Sequence, residues 1–399
     1  MKKQALAVAS SLVLATSIAV PTYAAGNHPG TPEQQTYNSS GWTDHTQLTK
    51  KLKQLEESSQ GVIEVDVVGQ SNNGLDIYQA RVGNGDKVIL IESEIHGNEK
   101  TGTEAILNLL NYLGSSNSPH AKKLREEITL VALPKINPDA SELDRRGNDM
   151  SWEEVVENFP QLASAEGPTW NHYFNRTLQG DDYTSKPGFD VNRDFNPDLN
   201  YVPQAEDVPG SSSEPGWYVT PEAQTVRDVY KNLQDEFGTV DVFVDLHHQG
   251  LYYVDGTSEP VTLSLSGQFV PHPETEEGSK YSQYVDNYDY DFSRQLNLAA
   301  YDALQEMGNS PFDNITLYSQ GLDLPGTALG SFALNGSGTV LFEVTGQTQS
   351  MGQKKKGMLV KAVETGLRGI IDGVAEYTIE ELNPEDYEDI PETSYRPSL

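Results

Sequence analysis

A histidine and a glutamate stand three residues apart just after an apolar run, and they are the first residues that could do chemistry. The run covers residues 88–91, and His96 and Glu99 follow it within the segment His-Gly-Asn-Glu. Imidazole nitrogen and carboxylate oxygen both bind zinc, and many catalytic zinc sites use two histidines and one glutamate. Because so short a pattern also arises by chance, the hypothesis of a metal site needs a third ligand.

A second, mostly apolar run supplies candidates for that third ligand. Residues 240–246 predict a buried strand, and His247 and His248 follow it at once. Ligands in open α/β sheets converge at the carboxyl ends of the strands, where both runs place their histidines. Since side chains alternate between the two faces of a strand, only one of these histidines should bind a shared metal. The spacing leaves open which one.

A third candidate is a carboxylate inside an apolar strand. Glu343 lies in the run Thr-Val-Leu-Phe-Glu-Val at residues 339–344. Burying a carboxylate there is costly unless it has a function or a charged partner. Close to a metal, Glu343 could take a proton from a bound water; the alternative is a structural glutamate in a salt bridge. The chain has no cysteine, so His, Asp or Glu must hold any metal.

The elements that must position these residues alternate between strand and helix. This alternation predicts an α/β fold, a three-layer α/β/α sandwich whose twisted sheet is mixed, mostly parallel and covered by helices on both faces. The predicted strands are 62–68, 77–82, 87–92, 128–133, 240–246 and 339–342, and the predicted helices are 43–57, 101–113, 221–233, 292–307 and 356–377.

One catalytic domain is expected over residues 41–382. Long loops near 150–187, 200–218 and 271–290 interrupt it, because these stretches are rich in turn-forming residues and show no clear period. The acidic segment 383–399 is expected to be a disordered tail.

The N-terminus has the order of features that is typical of an export signal. Two lysines follow Met1, an apolar run covers residues 5–20, and small residues precede position 25. The prediction is a signal peptide at 1–24, a flexible mature N-terminus at 25–40 and a secreted protein. No later stretch is apolar enough for a membrane helix, so we expect no membrane association after the signal is removed.

The charge of the chain excludes some partners. The 399 residues contain 59 acidic and 27 basic side chains, for a formal net charge of −32. Such a polyanion repels nucleic acid and anionic membrane surfaces, so neither is expected as a partner. The expected oligomeric state is a monomer.

In their order along the chain, these motifs resemble the metallocarboxypeptidases related to carboxypeptidase A, over about residues 62–377. Each motif is short, but chance does not account for so many in the family's order. One departure is Ala140, where the family has glycine. The matching segments are Val68-Gly69-Gln70-Ser71 with Gly74, His96-x-x-Glu99, Asn137-Pro138-Asp139, Asp144-Arg145-Arg146-Gly147-Asn148, Asp190-Val191-Asn192-Arg193, Asp245-Leu246-His247, Tyr318 and Phe342-Glu343-Val344.

The resemblance implies a ligand set and a metal. His96, Glu99 and His247 would bind one zinc ion per chain, which favours His247 over His248 as the third ligand. Asp190 would accept a hydrogen bond from His96 and so orient its ring, as metal-bound histidines generally require.

The resemblance also implies catalytic and substrate-binding residues. Glu343 would be the general base, and Arg146, rather than the arginine before it, would polarise the substrate carbonyl. Asn192 and Arg193 would hold the C-terminal carboxylate of the peptide, and Tyr318 would close over the bound residue. The side-chain pocket would lie near residues 327–329, with a neutral or apolar preference.

Other functions can use the same three ligands. An endopeptidase that cleaves peptidoglycan and a zinc-dependent deacylase are the alternatives within the enzymes, and a metal-stabilised binding protein is the alternative without catalysis. Asn192 and Arg193 favour a substrate with a free α-carboxylate, while Glu343 and Arg146 favour catalysis. The chain has no Gly-x-Ser-x-Gly segment, which disfavours a serine hydrolase.

Overall fold

A mixed sheet of eight strands forms the centre of the fold. The computed structural model describes residues 41–306, 314–346 and 352–398, so the predicted signal peptide and flexible N-terminus lie outside the described residues. The strands are β1 Ile63–Gln70, β2 Asp76–Gly83, β3 Lys87–Ser93, β4 Ile128–Leu133, β5 Val242–Gln249, β6 Leu263–Ser266, β7 Ile315–Leu317 and β8 Gly338–Thr345.

The sheet order is β1-β2-β4-β3-β5-β8-β6-β7. The neighbours β4-β3, β3-β5, β5-β8 and β6-β7 are parallel, and the pairs β1-β2, β2-β4 and β8-β6 are antiparallel. The parallel strands β3, β5 and β8 are therefore adjacent at the centre, with the carboxyl ends of all three at one edge. This confirms the predicted mixed, mostly parallel sheet.

Nine helices of the described residues surround the sheet. They are α1 His45–Ser59, α2 Thr101–Ser115, α3 Pro119–Glu127, α4 Pro138–Leu143, α5 Trp152–Asn158, α6 Pro221–Phe237, α7 Tyr290–Gln305, α8 Ala328–Leu334 and α9 Gly352–Glu376. Their starts follow local chemistry: Asp44 caps α1 in a capping box with Gln47, and Thr220 caps α6, whose first residue is Pro221. None of these helices combines the length and apolar character that crossing a membrane requires.

Two apolar cores, one on each face of the sheet, make the fold three-layered. Alternate residues of β3 divide between them: Ile89 and Ile91 pack into the core that includes α1, α2, α7 and α9, whereas Val88 and Leu90 pack into the core that includes α6 and α8. Both faces of the central strands are thus buried, which is why their sequences are nearly continuous apolar runs. The predicted three-layer sandwich is confirmed.

The stretch predicted as a long loop at 150–187 contains short regular elements. Ser151 and Glu154 form a capping box that starts α5. Further on, His172–Tyr173 pairs with Gly188–Phe189, and Thr177–Leu178 pairs with Asp181–Asp182. Helices of two turns and ladders of two residues are too short to produce a periodic pattern, which is why the sequence did not predict them.

The prediction of a disordered acidic tail beyond residue 382 was wrong. Residues Pro384–Asp389 form a 3-10 helix, and Thr393–Ser394 pairs with Tyr253–Val254. Tyr387 is fully buried, and the guanidinium of Arg294 forms ion pairs with two of the acidic side chains, Glu385 and Glu388. A buried tyrosine and a buried arginine partner therefore order a segment that composition alone describes as disordered.

Candidate active site

The three predicted ligands meet at the carboxyl ends of β3 and β5. His96 and Glu99 lie in the turn after β3, where the amide of Glu99 donates to the carbonyl of His96 at 3.1 Å. His247 lies near the end of β5. His96 Nδ1 is 3.1 Å from both His247 Nδ1 and Glu99 Oε1, and His247 Nδ1 is 2.8 Å from Glu99 Oε2. All three side chains are buried.

The donor set fits a zinc ion. Tetrahedral zinc, with bonds of about 2.0–2.1 Å, separates its ligand atoms by about 3.3 Å, close to the observed spacing. Each histidine turns its other nitrogen to a carboxylate: His96 Nε2 lies 3.1 Å from Asp190 Oδ1, and His247 Nε2 lies 2.7 Å from Asp245 Oδ2. When those Nε2 atoms donate, both Nδ1 lone pairs face the carboxylate of Glu99, and a cation stabilises that arrangement.

The electrostatics of this cluster favour an ionised Glu99. Burial alone raises the pKa of Glu99, but His96 and His247 outweigh it and lower the pKa well below its usual value. Burial likewise disfavours a charged His247, but the carboxylates of Asp245 and Glu99 outweigh it and raise the pKa of that imidazole well above its usual value. A carboxylate that stays ionised is the form that binds a metal.

His248 points away from the cluster, as strand alternation requires. Its Nε2 accepts the amide of Thr101 at 3.0 Å, at the start of α2. Burial lowers the pKa of His248 to about 4, so the ring is neutral and can accept this hydrogen bond. The choice that the spacing left open is therefore made by geometry: His247, not His248, lies with His96 and Glu99.

The two neighbouring arginines have different surroundings. Arg145 is buried, donates to the carbonyls of Gly147 and Asn148, and lies over the ring of Tyr183 at 4.6 Å. Arg146 instead extends to the cluster, where its guanidinium nitrogen NH1 lies 3.2 Å from His96 Nδ1. Arg146 is thus the arginine that reaches the His96-Glu99-His247 cluster.

Asp190 joins the side chains of Arg146 and His96. One carboxylate oxygen, Oδ1, faces His96, and the other, Oδ2, accepts from Arg146 Nε at 3.0 Å and lies 2.9 Å from its NH2. Burial raises the pKa of Asp190, but Arg146 and His96 outweigh it and hold the pKa well below its usual range. The group is therefore a carboxylate that orients two side chains at once.

Glu343 lies on β8 directly beside His247 on β5, because the two are register partners in the parallel ladder. The side chain is half-buried, and its Oε2 has no hydrogen-bond partner among the described residues. Burial, assisted by Glu99, raises the pKa of Glu343 to about 8, against the opposing effect of His247. A carboxyl oxygen without a partner beside the His96-Glu99-His247 cluster is available to a water or a substrate.

A family model described as zinc carboxypeptidase matches residues 48–366 of the chain. The chain belongs to the zinc carboxypeptidase family. The family is described as one of zinc carboxypeptidases, which are metallopeptidases. The family and the His-Glu-His cluster together support zinc as its metal.

Individual relatives of this family member are distant. Carboxypeptidase SOL1 of Arabidopsis thaliana is 25% identical over 118 residues, which are 27% of this chain and only 24% of that protein. Among solved structures, the fold is similar to thrombin activatable fibrinolysis inhibitor, with a TM-score of 0.55, 12% identity and coverage of 84% of this chain and 78% of that chain. The bovine protein, in complex with tick carboxypeptidase inhibitor, gives a TM-score of 0.54 and 13% identity, with coverage of 84% and 98%. At these identities the likeness shows the fold alone.

The predicted substrate-binding residues of this zinc carboxypeptidase family member differ in the contacts that they already make within the protein. Asn192 Nδ2 lies 3.3 Å from Asp245 Oδ2, and its Oδ1 accepts the amide of Ala328 at 3.0 Å. Arg193 donates to the carbonyl of Asn192 at 2.6 Å and forms no ion pair with a carboxylate of the described ranges. Tyr318 follows β7, where its amide donates to the carbonyl of Leu265 at 2.8 Å. The half-buried guanidinium of Arg193 is therefore the charged group that could bind an anionic group of a substrate.

Three residues of the site were not predicted as functional. Asp245, which orients His247, could have been inferred from its place two residues earlier on the same face of β5. Glu92 pairs with Asp245 across the sheet; it is fully buried, burial and Asp245 raise its pKa well above its usual value, and neither carboxyl oxygen has a hydrogen-bond partner among the described residues. Tyr173, from the inserted segment, donates to Asp190 Oδ2 at 3.1 Å, and no local pattern indicates that contact.

Proposed function

We propose that this chain is a zinc-dependent carboxypeptidase that releases C-terminal amino acids from peptides. The observation that carries the proposal is the convergence of His96, Glu99 and His247 beside Glu343, with Arg146 at the same cluster. One zinc ion per chain would be held by His96 Nδ1, the Glu99 carboxylate and His247 Nδ1.

The metal and the base divide the work of activating water. A zinc ion, when bound, supplies a Lewis acid that polarises the peptide carbonyl and lowers the pKa of water toward about 7. Glu343 takes a proton from the attacking water and passes it to the nitrogen of the leaving amine. The unpartnered Oε2 of Glu343 supports this assignment, because a base must have an oxygen free to accept the proton.

Arg146 stabilises the charge that develops on the carbonyl oxygen of the substrate. Its guanidinium is held from one side by Asp190, so it does not reorganise as the charge forms. A donor fixed in advance at such a position contributes more to catalysis than a mobile one. Arg145 is excluded from this function, because its donors are used by backbone carbonyls.

Arg193 binds the free α-carboxylate of the substrate, assisted by Asn192. The planar guanidinium can make two parallel hydrogen bonds to a carboxylate, which lysine cannot. The lack of an ion pair at Arg193 among the described residues supports this assignment. Tyr318 closes over the bound C-terminal residue, whose side chain is neutral or apolar and lies near residues 327–329.

The test compares peptides that end in a free carboxylate with the same peptides amidated at the C-terminus. Free amino acids should be released from the first set only, and Arg193→Lys should raise KM for that set by about tenfold, the cost of one strong hydrogen bond. Arg227→Lys, on helix α6, is the matched control and should leave KM unchanged, because that guanidinium pairs with Asp228 and lies over the ring of Tyr218. Equal rates on both peptide sets would contradict the carboxypeptidase assignment and favour an endopeptidase.

Export and organisation belong to the same proposal. The N-terminal charge and apolar run support a signal peptide at 1–24 and a secreted enzyme. A single catalytic domain at 41–382, acting as a monomer, is proposed for the remainder. Mass spectrometry of the secreted protein should give a chain that begins near Ala25, and light scattering should give the mass of one chain; an unprocessed N-terminus or a dimer mass would contradict these points.

A further inference from the structure

The inserted segment at 150–187 contacts the backbone of the residues that carry the active site. Asp181 Oδ2 accepts the backbone amide of Arg146 at 2.7 Å, and the hydroxyl of Tyr183 accepts the backbone amide of Gly147 at 2.8 Å. Both contacts fix the main chain of the residues that carry the predicted carbonyl-polarising arginine. The insertion is therefore part of the framework of the site.

The most direct contact is made by Tyr173. The ladder between His172–Tyr173 and Gly188–Phe189 brings this tyrosine next to the strand that leads into Asp190. Its hydroxyl donates to Asp190 Oδ2 at 3.1 Å, and its ring packs edge-on against Tyr183 with centroids 5.1 Å apart. Only 5% of the residue is exposed, so Tyr173 can act on the site through Asp190 and does not touch a substrate.

The Tyr173 hydroxyl adds a second residue to Arg146 among the donors to Asp190 Oδ2. Asp190 Oδ1 must face His96 Nε2, while its Oδ2 is held by Arg146. The guanidinium of Arg146 stands at the end of a long side chain, so it can shift together with the carboxylate as that group turns about its Cβ–Cγ bond. A donor on a rigid ring, reaching the same Oδ2 from a different element, fixes that rotation. Burial raises the pKa of the Tyr173 hydroxyl, which keeps its proton available for donation.

We propose that Tyr173 is a positioning residue that orients Asp190, and through it the ligand His96 and the guanidinium of Arg146. The expected effect of Tyr173 on catalysis through Arg146 rests on the proposed function. The expected effect of Tyr173 on metal binding through His96 does not. The insertion then serves to hold the pair Asp190–Arg146 in place, in addition to any contact that it makes with substrates.

The experiment compares Tyr173→Phe with a matched control, Tyr201→Phe. Both changes remove one tyrosine–aspartate hydrogen bond and keep the ring, but Tyr201 pairs with Asp207 in a different loop, at 3.0 Å. Zinc affinity is measured by competition with a chromophoric chelator, at a temperature well below the unfolding transitions of all variants. The kinetic constants kcat and KM are measured on a peptide with a free carboxylate.

Partners of metal ligands typically contribute 10- to 100-fold to affinity or activity, and Tyr173 lies one hydrogen bond further out, so we expect about a three- to tenfold loss. Tyr173→Phe should weaken zinc binding and lower kcat by this factor with KM nearly unchanged, since Arg146 acts in the transition state. Tyr201→Phe should change none of these values.

A double-mutant cycle separates positioning from general stability. In the background of Asp190→Asn, Tyr173→Phe should have little further effect on zinc affinity, because its target has already been altered. Equal zinc affinities for Tyr173→Phe and the parent would overturn the proposal, and so would a loss that is the same with and without Asp190. A parent protein that binds zinc but hydrolyses no peptide would refute the proposed function and leave the zinc measurements as the test of Tyr173.

Discussion

Replacement of Asp190 by asparagine should lower both the zinc affinity and the stability of the fold. The change keeps the shape of the side chain but removes a buried negative charge that faces His96 and Arg146. Removing one partner of a buried ion pair costs roughly 3–5 kcal/mol of folding free energy, because the other charge stays buried without compensation. Misorientation of His96 should further lower zinc affinity by about 10- to 100-fold.

Asp194 offers a matched control in the same turn of the chain. It is as deeply buried as Asp190, but its carboxylate accepts the backbone amides of Val219 and Thr220 and no metal ligand. Asp194→Asn should therefore lower the unfolding temperature without changing zinc affinity. The assay is chelator competition for zinc, together with thermal unfolding of each variant.

The comparison has a clear refuting outcome. If Asp194→Asn weakens zinc binding as much as Asp190→Asn, the loss reflects a general loosening of the 190–194 turn, and the reasoning about His96 is wrong. Unchanged affinity in Asp190→Asn would refute it as well.

Further predictions concern stability, the two adjacent histidines and the C-terminal segment. Burial raises the pKa of Glu222 from its usual 4.5 to about 7, so the fold favours its neutral form; the associated stability is complete below pH 4.5 and lost as pH rises through 7. At about 1.36 kcal/mol per pKa unit, the free energy of unfolding of wild type should fall by about 3 kcal/mol relative to that of Glu222→Gln as the pH rises from 4.5 to 7. Urea unfolding measures this difference, and parallel pH profiles of the two proteins would refute the prediction. His248→Ala should retain zinc but destabilise the fold by about 1–2 kcal/mol, because it removes the hydrogen-bond acceptor at the start of α2. His247→Ala should instead lose zinc. Metal analysis and thermal unfolding of both variants test this difference. Arg294→Ala should speed hydrogen exchange around Tyr387 and leave peptide hydrolysis unchanged; unaltered exchange would mean that the ion pairs with the tail do not order it.

The sequence predicted the fold because its central strands are buried on both faces. Apolar runs such as 87–92 and 240–246 are typical of the central strands of a covered sheet when they alternate with amphipathic helices along the chain. The histidines at the ends of these runs could be placed at one edge of the sheet for the same reason. The family resemblance then selected His247 and Arg146, and the structure brings both to the cluster while it turns His248 and Arg145 to backbone groups.

The remaining features depend on contacts between distant segments. Tyr173 reaches Asp190 only because a ladder of two residues folds the insertion back on itself, and no local period records such a ladder. Arg294 similarly orders the acidic tail across about ninety residues. Composition describes a segment by itself, whereas order in these segments comes from one or two buried partners elsewhere in the chain.

Metal content and peptide hydrolysis, measured together for wild type and Glu343→Gln, test whether the chain hydrolyses peptides with a bound zinc ion and with Glu343 as the base. The variant keeps the shape of the side chain and removes the base, and Glu343 is not one of the proposed ligands. We predict one zinc per chain in both proteins, release of C-terminal amino acids by wild type alone, and loss of that activity when a chelator removes the zinc. Hydrolysis by metal-free wild type would refute zinc dependence, and undiminished hydrolysis by Glu343→Gln would refute the assignment of Glu343 as the base.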